Sequence, residues 1–132
     1  MTPKITGIHH IALKAVGKEE YEKTMTFYTE ILNLPIARVW GEEGARGAMV
    51  DTGAGLLEIF ENGTDHPAQG PLRHIAFAVE DVDACVEAVR KHGYTITMEP
   101  TDIAIQSNPP YPAKIAFCMG PVGEEVEFFK VK

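Results

Sequence analysis

The chain has 132 residues, which is the size of one domain and too short for a multidomain enzyme. Apolar residues make up 45% and charged residues 23%, so a packed core is expected rather than disorder. Acidic residues outnumber basic ones by 19 to 12, which argues against nucleic acid or anionic lipid as a partner because both require a basic surface. No membrane span or signal peptide is evident, so we expect a cytoplasmic protein whose Cys85 and Cys118 are reduced.

The first half of the chain predicts the element order β-α-β-β-β. Apolar residues recur at helical spacing from Tyr21 to Leu32, and Asn33 and Pro35 end this helix. Runs rich in β-branched and apolar residues lie on both sides of it. The predicted elements are a strand at 6–15, a helix at 19–32, and strands at 36–40, 46–51 and 56–61.

The same order repeats after a linker at 62–71 that contains glycine and proline. Asp81 suits a helix N-cap, and Gly93 suits the stop of the same helix. The proline-rich stretch 106–112 is predicted to be a loop because proline interrupts a central strand. The predicted elements are a strand at 72–79, a helix from Asp81 through His92, and strands at 94–99, 103–105, 114–119 and 125–131.

The repeat is also visible in the letters of the sequence. HIAL at 10–13 matches HIAF at 74–77, and LEIF at 57–60 matches VEFF at 126–129. The second copy is slightly longer, and we place its extra residues in the 106–112 loop. We therefore predict one α+β domain spanning 1–132. Its two βαβββ modules, at about 5–61 and 72–131, form a cupped mixed sheet with the helices on the convex side.

Four ionisable residues occupy equivalent positions in the two modules. Side chains alternate across a strand, and each of the four is followed by an apolar residue, while the two glutamates are also preceded by one. The apolar neighbours should face the core beneath the helices, so the four should line the opposite, concave face. By the same alternation His9 falls on the core face and is interpreted as structural, while His66 and His92 are expected at the surface. The four residues are His10, Glu58, His74 and Glu127.

Two carboxylates that meet in a cavity repel each other, and a divalent cation removes that cost. Two neutral imidazoles and two ionised carboxylates around one such ion form a site of zero net charge. This nitrogen and oxygen ligand set suits Zn²⁺, Ni²⁺, Mn²⁺, Co²⁺ or Fe²⁺. The sequence therefore predicts one divalent ion per site.

The chain resembles the vicinal oxygen chelate superfamily, the glyoxalase/bleomycin resistance fold, along nearly its whole length. Its opening module resembles the family in HHIAL at 9–13 and FYTEILNL at 27–34. RHIAFAVEDVDA at 73–84 is similar to the second opening, and GPVGEEVEFF at 120–129 to the closing turn and strand. The resemblance implies a metal site on the concave face, and its His/Glu/His/Glu set is similar to that of glyoxalase I (lactoylglutathione lyase). Ni²⁺ or Zn²⁺ is the favoured ion.

The resemblance implies a metal-dependent lyase or isomerase acting on the hemithioacetal of a 2-oxoaldehyde and a thiol, through an enediolate that the metal stabilises. Glu127, or alternatively Glu58, would be the catalytic base. Other chemistries of the family remain open: an epimerase, a thiol transferase, a ring-cleaving dioxygenase, or a protein that binds a drug or metabolite without turnover.

Further expectations concern the substrate and the assembly. Substrate-binding candidates share the face of the four ligands or lie at the rim of the cavity. Arg38 or Arg46 would add further contacts to the substrate, and Trp40 would line the cavity. Relatives pair their modules within one chain or by swapping across a dimer, and we expect a homodimer. The substrate-binding candidates are Lys14, Phe60, Tyr111 and Phe129.

Overall fold

The structure, a computed structural model that describes residues 2–132, divides into two units between Asp65 and His66. The division lies inside the predicted linker, and the βαβββ order predicted for each half is confirmed. Residues 2–65 are called unit 1 and residues 66–132 unit 2. None of the helices in residues 2–132 has the length and apolar character that a membrane crossing requires.

Unit 1 is a four-stranded mixed sheet in the order β1-β4-β3-β2. The first strand runs parallel to the last, and the other pairings are antiparallel. The helix packs on β4, whose Leu57 and Ile59 are buried, so Glu58 between them lies on the opposite face. The elements are β1 (His10–Lys14), α1 (Gly17–Thr26), a π-helical segment (Phe27–Ile31), β2 (Ile36–Trp40), β3 (Gly47–Asp51) and β4 (Leu56–Phe60).

The helix of unit 1 differs from its predicted pattern in its last turn. The amide of Leu32 donates to the carbonyl of Phe27 at 2.9 Å, five residues back, which widens this turn. Phe27 and Tyr28, adjacent in sequence, are consequently both buried, and Thr24 is buried with them. Met25, which lies in the predicted apolar stripe between Tyr21 and Leu32, is only half-buried.

Unit 2 repeats this sheet in the order β5-β8-β7-β6. The two strands predicted at 94–99 and 103–105 are one long strand that begins only at Ile96 and has an irregular register near Pro100. The two strands of this hairpin in unit 2 have 10 and 9 residues, whereas each of the two equivalent strands in unit 1 has 5. The elements are β5 (Ile75–Ala78), α2 (Val82–Lys91), β6 (Ile96–Ile105), β7 (Tyr111–Met119) and β8 (Glu125–Val131).

The predicted loop at 106–112 is therefore too long, and the placement of the extra residues within it was wrong. Tyr111 and Pro112 already belong to β7, and the loop is 106–110. Pro112 is tolerated because it lies near the start of the strand, where its carbonyl accepts from the amide of Lys132 at 3.1 Å. The additional residues of unit 2 lengthen both strands of this hairpin.

The signals at the ends of the second helix are confirmed. The Asp81 side chain accepts from the amide of Ala84 at 3.0 Å, and Gly93 after the helix has a φ of 87°. Val82, Val86 and Val89 are buried against the sheet, while Cys85 is half-buried. Within the described residues both cysteines are free, and burial raises the pKa of Cys118 to about 12.

The apolar face is less well covered on the edge strand β1 than on β4. Ile11 is 37% exposed, and Ile8 just before the strand is 70% exposed. In unit 2, Leu72 shortly before β5 is 88% exposed. The expectation that every apolar neighbour of the four candidate ligands is buried holds for the inner strands β4 and β8 only.

Candidate metal centre

In unit 1 the structure brings His10 and Glu58 together on the face opposite the helix. Glu58 pairs in register with Ala12, which places its side chain on the same side of the sheet as His10. The Nε2 atom of His10 lies 3.4 Å from Oε1 of Glu58. The histidine side chain is 39% exposed and the glutamate 13%, so the pair lies at the open surface of the unit.

The strands next to this pair add a row of side chains on the same face. Met49 is the register partner of Glu58, and Arg38 is the register partner of Met49. An Nη1–H of Arg38 donates to the sulfur of Met49 at 3.0 Å. Trp40 lies over Gly47 and meets the ring of Phe60 edge-on, with the ring centroids 6.1 Å apart.

In unit 2 the equivalent pair is His74 and Glu127. The Nε2 atom of His74 lies 3.0 Å from Oε1 of Glu127. Glu127 is only 7% exposed, and burial raises its pKa, an effect that the neighbouring His74 opposes. Phe117, the register partner of Glu127, supports the imidazole of His74 edge-to-face at 5.3 Å.

The spacing within each pair suits two ligands of one cation. Donor atoms about 2.1 Å from an ion lie about 3.0 to 3.4 Å apart when the angle between them is between square and tetrahedral. Imidazole nitrogen and carboxylate oxygen are also the donors that the expected divalent ions accept. Across residues 2–132, however, no group of three or more His, Cys, Asp or Glu side chains could hold an ion. The structure thus shows two His–Glu pairs, one formed within unit 1 and one within unit 2.

One sequence-based interpretation is wrong. His9 was assigned to the core face by strand alternation, but it is exposed and its ring contacts that of His10. Alternation fails because β1 begins at His10, which leaves His9 outside the regular strand.

The substrate-binding candidates lie on the same faces as the pairs. Lys14 and Phe60 are register partners on the His10 side of unit 1. Phe129 lies on the Glu127 side of unit 2, and Tyr111 lies 6.0 Å from its ring. Arg46 is excluded from this role because its guanidinium is bound to Glu61.

Sequence reasoning missed Met49 and Phe117 as neighbours of the two glutamates. Both occupy the same place in their units, directly beside the glutamate on the preceding strand. The signal that could have found them is the alternation of β3 and β7, combined with the repeat.

Residues 7–108 match the family described as the Glyoxalase/Bleomycin resistance protein/Dioxygenase superfamily. The uncharacterized protein YaeR of Escherichia coli K12 is 30% identical over 104 residues, which cover 70% of this chain and 78% of YaeR.

Solved structures share the fold at lower identity. The crystal structure of SMU.1112c has a TM-score of 0.74 at 27% identity, covering 96% of this chain and 99% of that one. Trypanothione-dependent glyoxalase I of Leishmania major has a TM-score of 0.67 at 24% identity, covering 92% and 84%. The fosfomycin resistance protein FosX of Listeria monocytogenes, in complex with Mn(II) and sulfate, has a TM-score of 0.71 at 19% identity, covering 96% and 93%.

Proposed function

Because the chain belongs to the Glyoxalase/Bleomycin resistance protein/Dioxygenase superfamily, we propose that it is a metal-dependent lyase or isomerase of the glyoxalase I type. In this proposal both His–Glu pairs together bind one divalent cation, with Ni²⁺ or Zn²⁺ favoured. The observation that carries the proposal is the equivalence of the pairs: each unit presents one imidazole and one carboxylate at ligand spacing on its open face. Charge balance supports a shared ion, since two carboxylates neutralise one divalent cation.

The proposed substrate is the hemithioacetal of a 2-oxoaldehyde and a thiol. A bound divalent cation supplies polarisation of the substrate's carbonyl group. Glu127 removes the proton from the carbon that bears sulfur and returns it to the neighbouring carbonyl carbon. The hydroxyl proton passes from the first oxygen to the second, so the product is a 2-hydroxy thioester with the same atoms.

Glu127 is favoured over Glu58 as the base because of its surroundings. It is the more deeply buried of the two, and a base that is shielded from water keeps the abstracted proton for return to the substrate. Its Oε1 lies 3.0 Å from Nε2 of His74, the other proposed ligand in unit 2. Phe117 beside it presents an apolar wall.

The open faces also suggest how the thiol portion is bound. Phe60, Tyr111 and Phe129 offer aromatic contact to its apolar parts. Lys14 and Arg38 lie on the His10 side of the sheet of unit 1. We assign these two cations to a carboxylate of the thiol, as charge-assisted hydrogen bonds would favour.

Metal analysis and a turnover assay test this function. The protein is loaded with Ni²⁺ or Zn²⁺, its metal content is measured, and methylglyoxal hemithioacetals of several thiols are offered. Glu127→Gln should abolish turnover, whereas Glu99→Gln should leave it unchanged because Glu99 is an exposed partner of Arg90. A metal-loaded protein that turns over no thiol adduct contradicts the lyase assignment. A protein that takes up no metal contradicts the site itself.

A further inference from the structure

The rings of His9 and His10 are joined by a hydrogen bond between their Nδ1 atoms, 2.9 Å apart. They meet nearly at right angles, with an interplanar angle of 84° and centroids 5.2 Å apart. This contact occupies the ring nitrogen of His10 that points away from Glu58. The other nitrogen, Nε2, is the one that faces the glutamate.

The backbone holds His9 in this position although the residue lies outside the strand. Its carbonyl accepts from the amide of Leu56 at 2.9 Å, at the start of β4. Gly55 brings the two segments close together, since a Cβ there would lie 3.0 Å from the carbonyl oxygen of Ile8. The main chain of His9 is thus fixed to the strand that carries Glu58.

Unit 2 lacks this arrangement. The residue before His74 is Arg73, whose guanidinium donates to the carbonyl of Gly70 at 3.3 Å. His74 is held instead by the edge-to-face contact with Phe117. The two candidate histidine ligands are therefore oriented by different means, one by a polar partner and the other by an aromatic ring.

We propose that His9 is a positioning residue that selects the tautomer of His10 needed for cation binding, an inference that rests on the proposed metal site. A neutral imidazole that binds a cation through Nε2 must carry its proton on Nδ1. The Nδ1 lone pair of His9 accepts that N–H, with the proton of His9 then on its own Nε2. The bond leaves the Nε2 lone pair of His10 available to the ion. Such outer partners of ligand histidines are worth roughly 10–100-fold in metal affinity.

Zinc affinity, measured by competition with a chromophoric chelator, tests the proposal through three variants. His9→Phe keeps a ring but removes the acceptor, and it should weaken zinc binding about tenfold or more. His9→Asn keeps an acceptor oxygen and should recover most of the affinity. Arg73→Ala, at the equivalent position of unit 2, should bind zinc like the wild type. Unchanged affinity in His9→Phe, or an equal loss in all three variants, overturns the proposal.

Long-range ¹H–¹⁵N NMR of the metal-free protein gives a readout that does not depend on the cation. The wild type should show His10 protonated on Nδ1, and His9→Phe should convert it to a mixture of tautomers while leaving His74 unchanged. A wild-type His10 that is protonated on Nε2 overturns the proposal. An unchanged His10 spectrum in His9→Phe overturns the positioning role. Failure of the wild type to bind zinc, with the NMR effect present, overturns the proposed function and leaves the His9–His10 relationship supported.

Discussion

Both carboxylate oxygens of Glu61 accept hydrogen bonds from the guanidinium of Arg46. Its Oε2 accepts from Nη2 at 2.7 Å, and its Oε1 accepts from Nε at 3.1 Å. Oε1 also accepts from the backbone amides of Gly44 at 2.7 Å and Arg46 at 3.0 Å. This bidentate ion pair links the turn between β2 and β3 to the residue that follows β4. The guanidinium of Arg46 also lies over the ring of Tyr21.

This ion pair predicts a loss of stability in acid. Glu61 is 2% exposed, and its hydrogen bonds to Arg46 lower its pKa from 4.5 to about 2. A carboxyl whose folded pKa is depressed stabilises the protein above its unfolded pKa, and this contribution is lost as the pH falls through the folded value. Glu61→Gln should therefore lower the Tm by several degrees at pH 7, and the difference from wild type should shrink between pH 4.5 and 2.

Glu99→Gln is the control for this prediction. The pKa of Glu99 is also lowered, by its hydrogen bond with Arg90, but both side chains are exposed. Exposed pairs contribute little to stability, so the Tm of this variant should stay near that of wild type. A Glu61→Gln difference that is constant from pH 7 to pH 2 would refute the assigned role of Glu61.

Asp81 should stabilise its helix by about 1 kcal/mol. Asp81→Ala leaves the amide of Ala84 without the acceptor that now lies 3.0 Å away. Urea denaturation should show the loss, whereas Asp81→Asn, which also caps, should retain most of the wild-type stability. An equal loss of unfolding free energy in both variants would contradict the capping role of Asp81.

Asp81 also illustrates what sequence could predict. A cap and a glycine stop act over a few residues, so their effects can be read locally, and both were confirmed. The pairing of His10 with Glu58 followed from the repeat and from strand alternation, which are likewise properties of the chain.

The errors arose where three-dimensional contacts override local pattern. The π-helical turn moved Phe27 into the core, and no spacing rule anticipates a widened turn. Alternation did not apply to His9 because β1 begins only at His10, which leaves His9 outside the regular strand. Arg46 is not available to a ligand because Glu61, which is distant in sequence, forms an ion pair with its guanidinium.

Trp40 is the single tryptophan, so the fluorescence of the protein should report on changes at the sheet face that carries the His10–Glu58 pair. A Cβ on Gly47 would overlap its indole, so Gly47→Ala must displace the ring from Phe60. We expect a change in tryptophan emission and, for the proposed substrates, a rise in KM that exceeds the change in kcat. Gly70→Ala is the control because a Cβ there meets nothing within 4 Å. Identical emission in the two variants would contradict the packing of Trp40 on Gly47.

Arg38 should distinguish thiols by charge. Its described contact is with the sulfur of Met49, which leaves its other N–H groups available to a carboxylate. Arg38→Leu should raise KM about tenfold or more for adducts of a thiol that carries carboxylates, by the usual strength of a charged hydrogen bond. Adducts of an uncharged thiol should be unaffected, and an equal effect on both would contradict a role in binding charge.

The proposed homodimer can be tested together with the origin of the ligands. Ile8, Ile11 and Leu72 are exposed near the first strand of each unit, and apolar surface of this kind favours a second copy as partner. Light scattering should give the mass of a dimer. A monomer would contradict this expectation.

Mixing two inactive variants then decides whether one chain or two supply the ligands. His10→Ala and His74→Ala should each lose zinc. In a swapped dimer, a mixed pair of these chains contains one site with four native ligands and one with two substitutions. After unfolding and refolding together, about a quarter of the wild-type zinc content should therefore return, because half of the dimers are mixed and each has one of two sites intact. If each chain supplies its own four ligands, every site carries one substitution and no zinc returns. Co-refolding His10→Ala with Glu58→Gln is the control, since both changes lie in unit 1 and no mixed pair restores a native site.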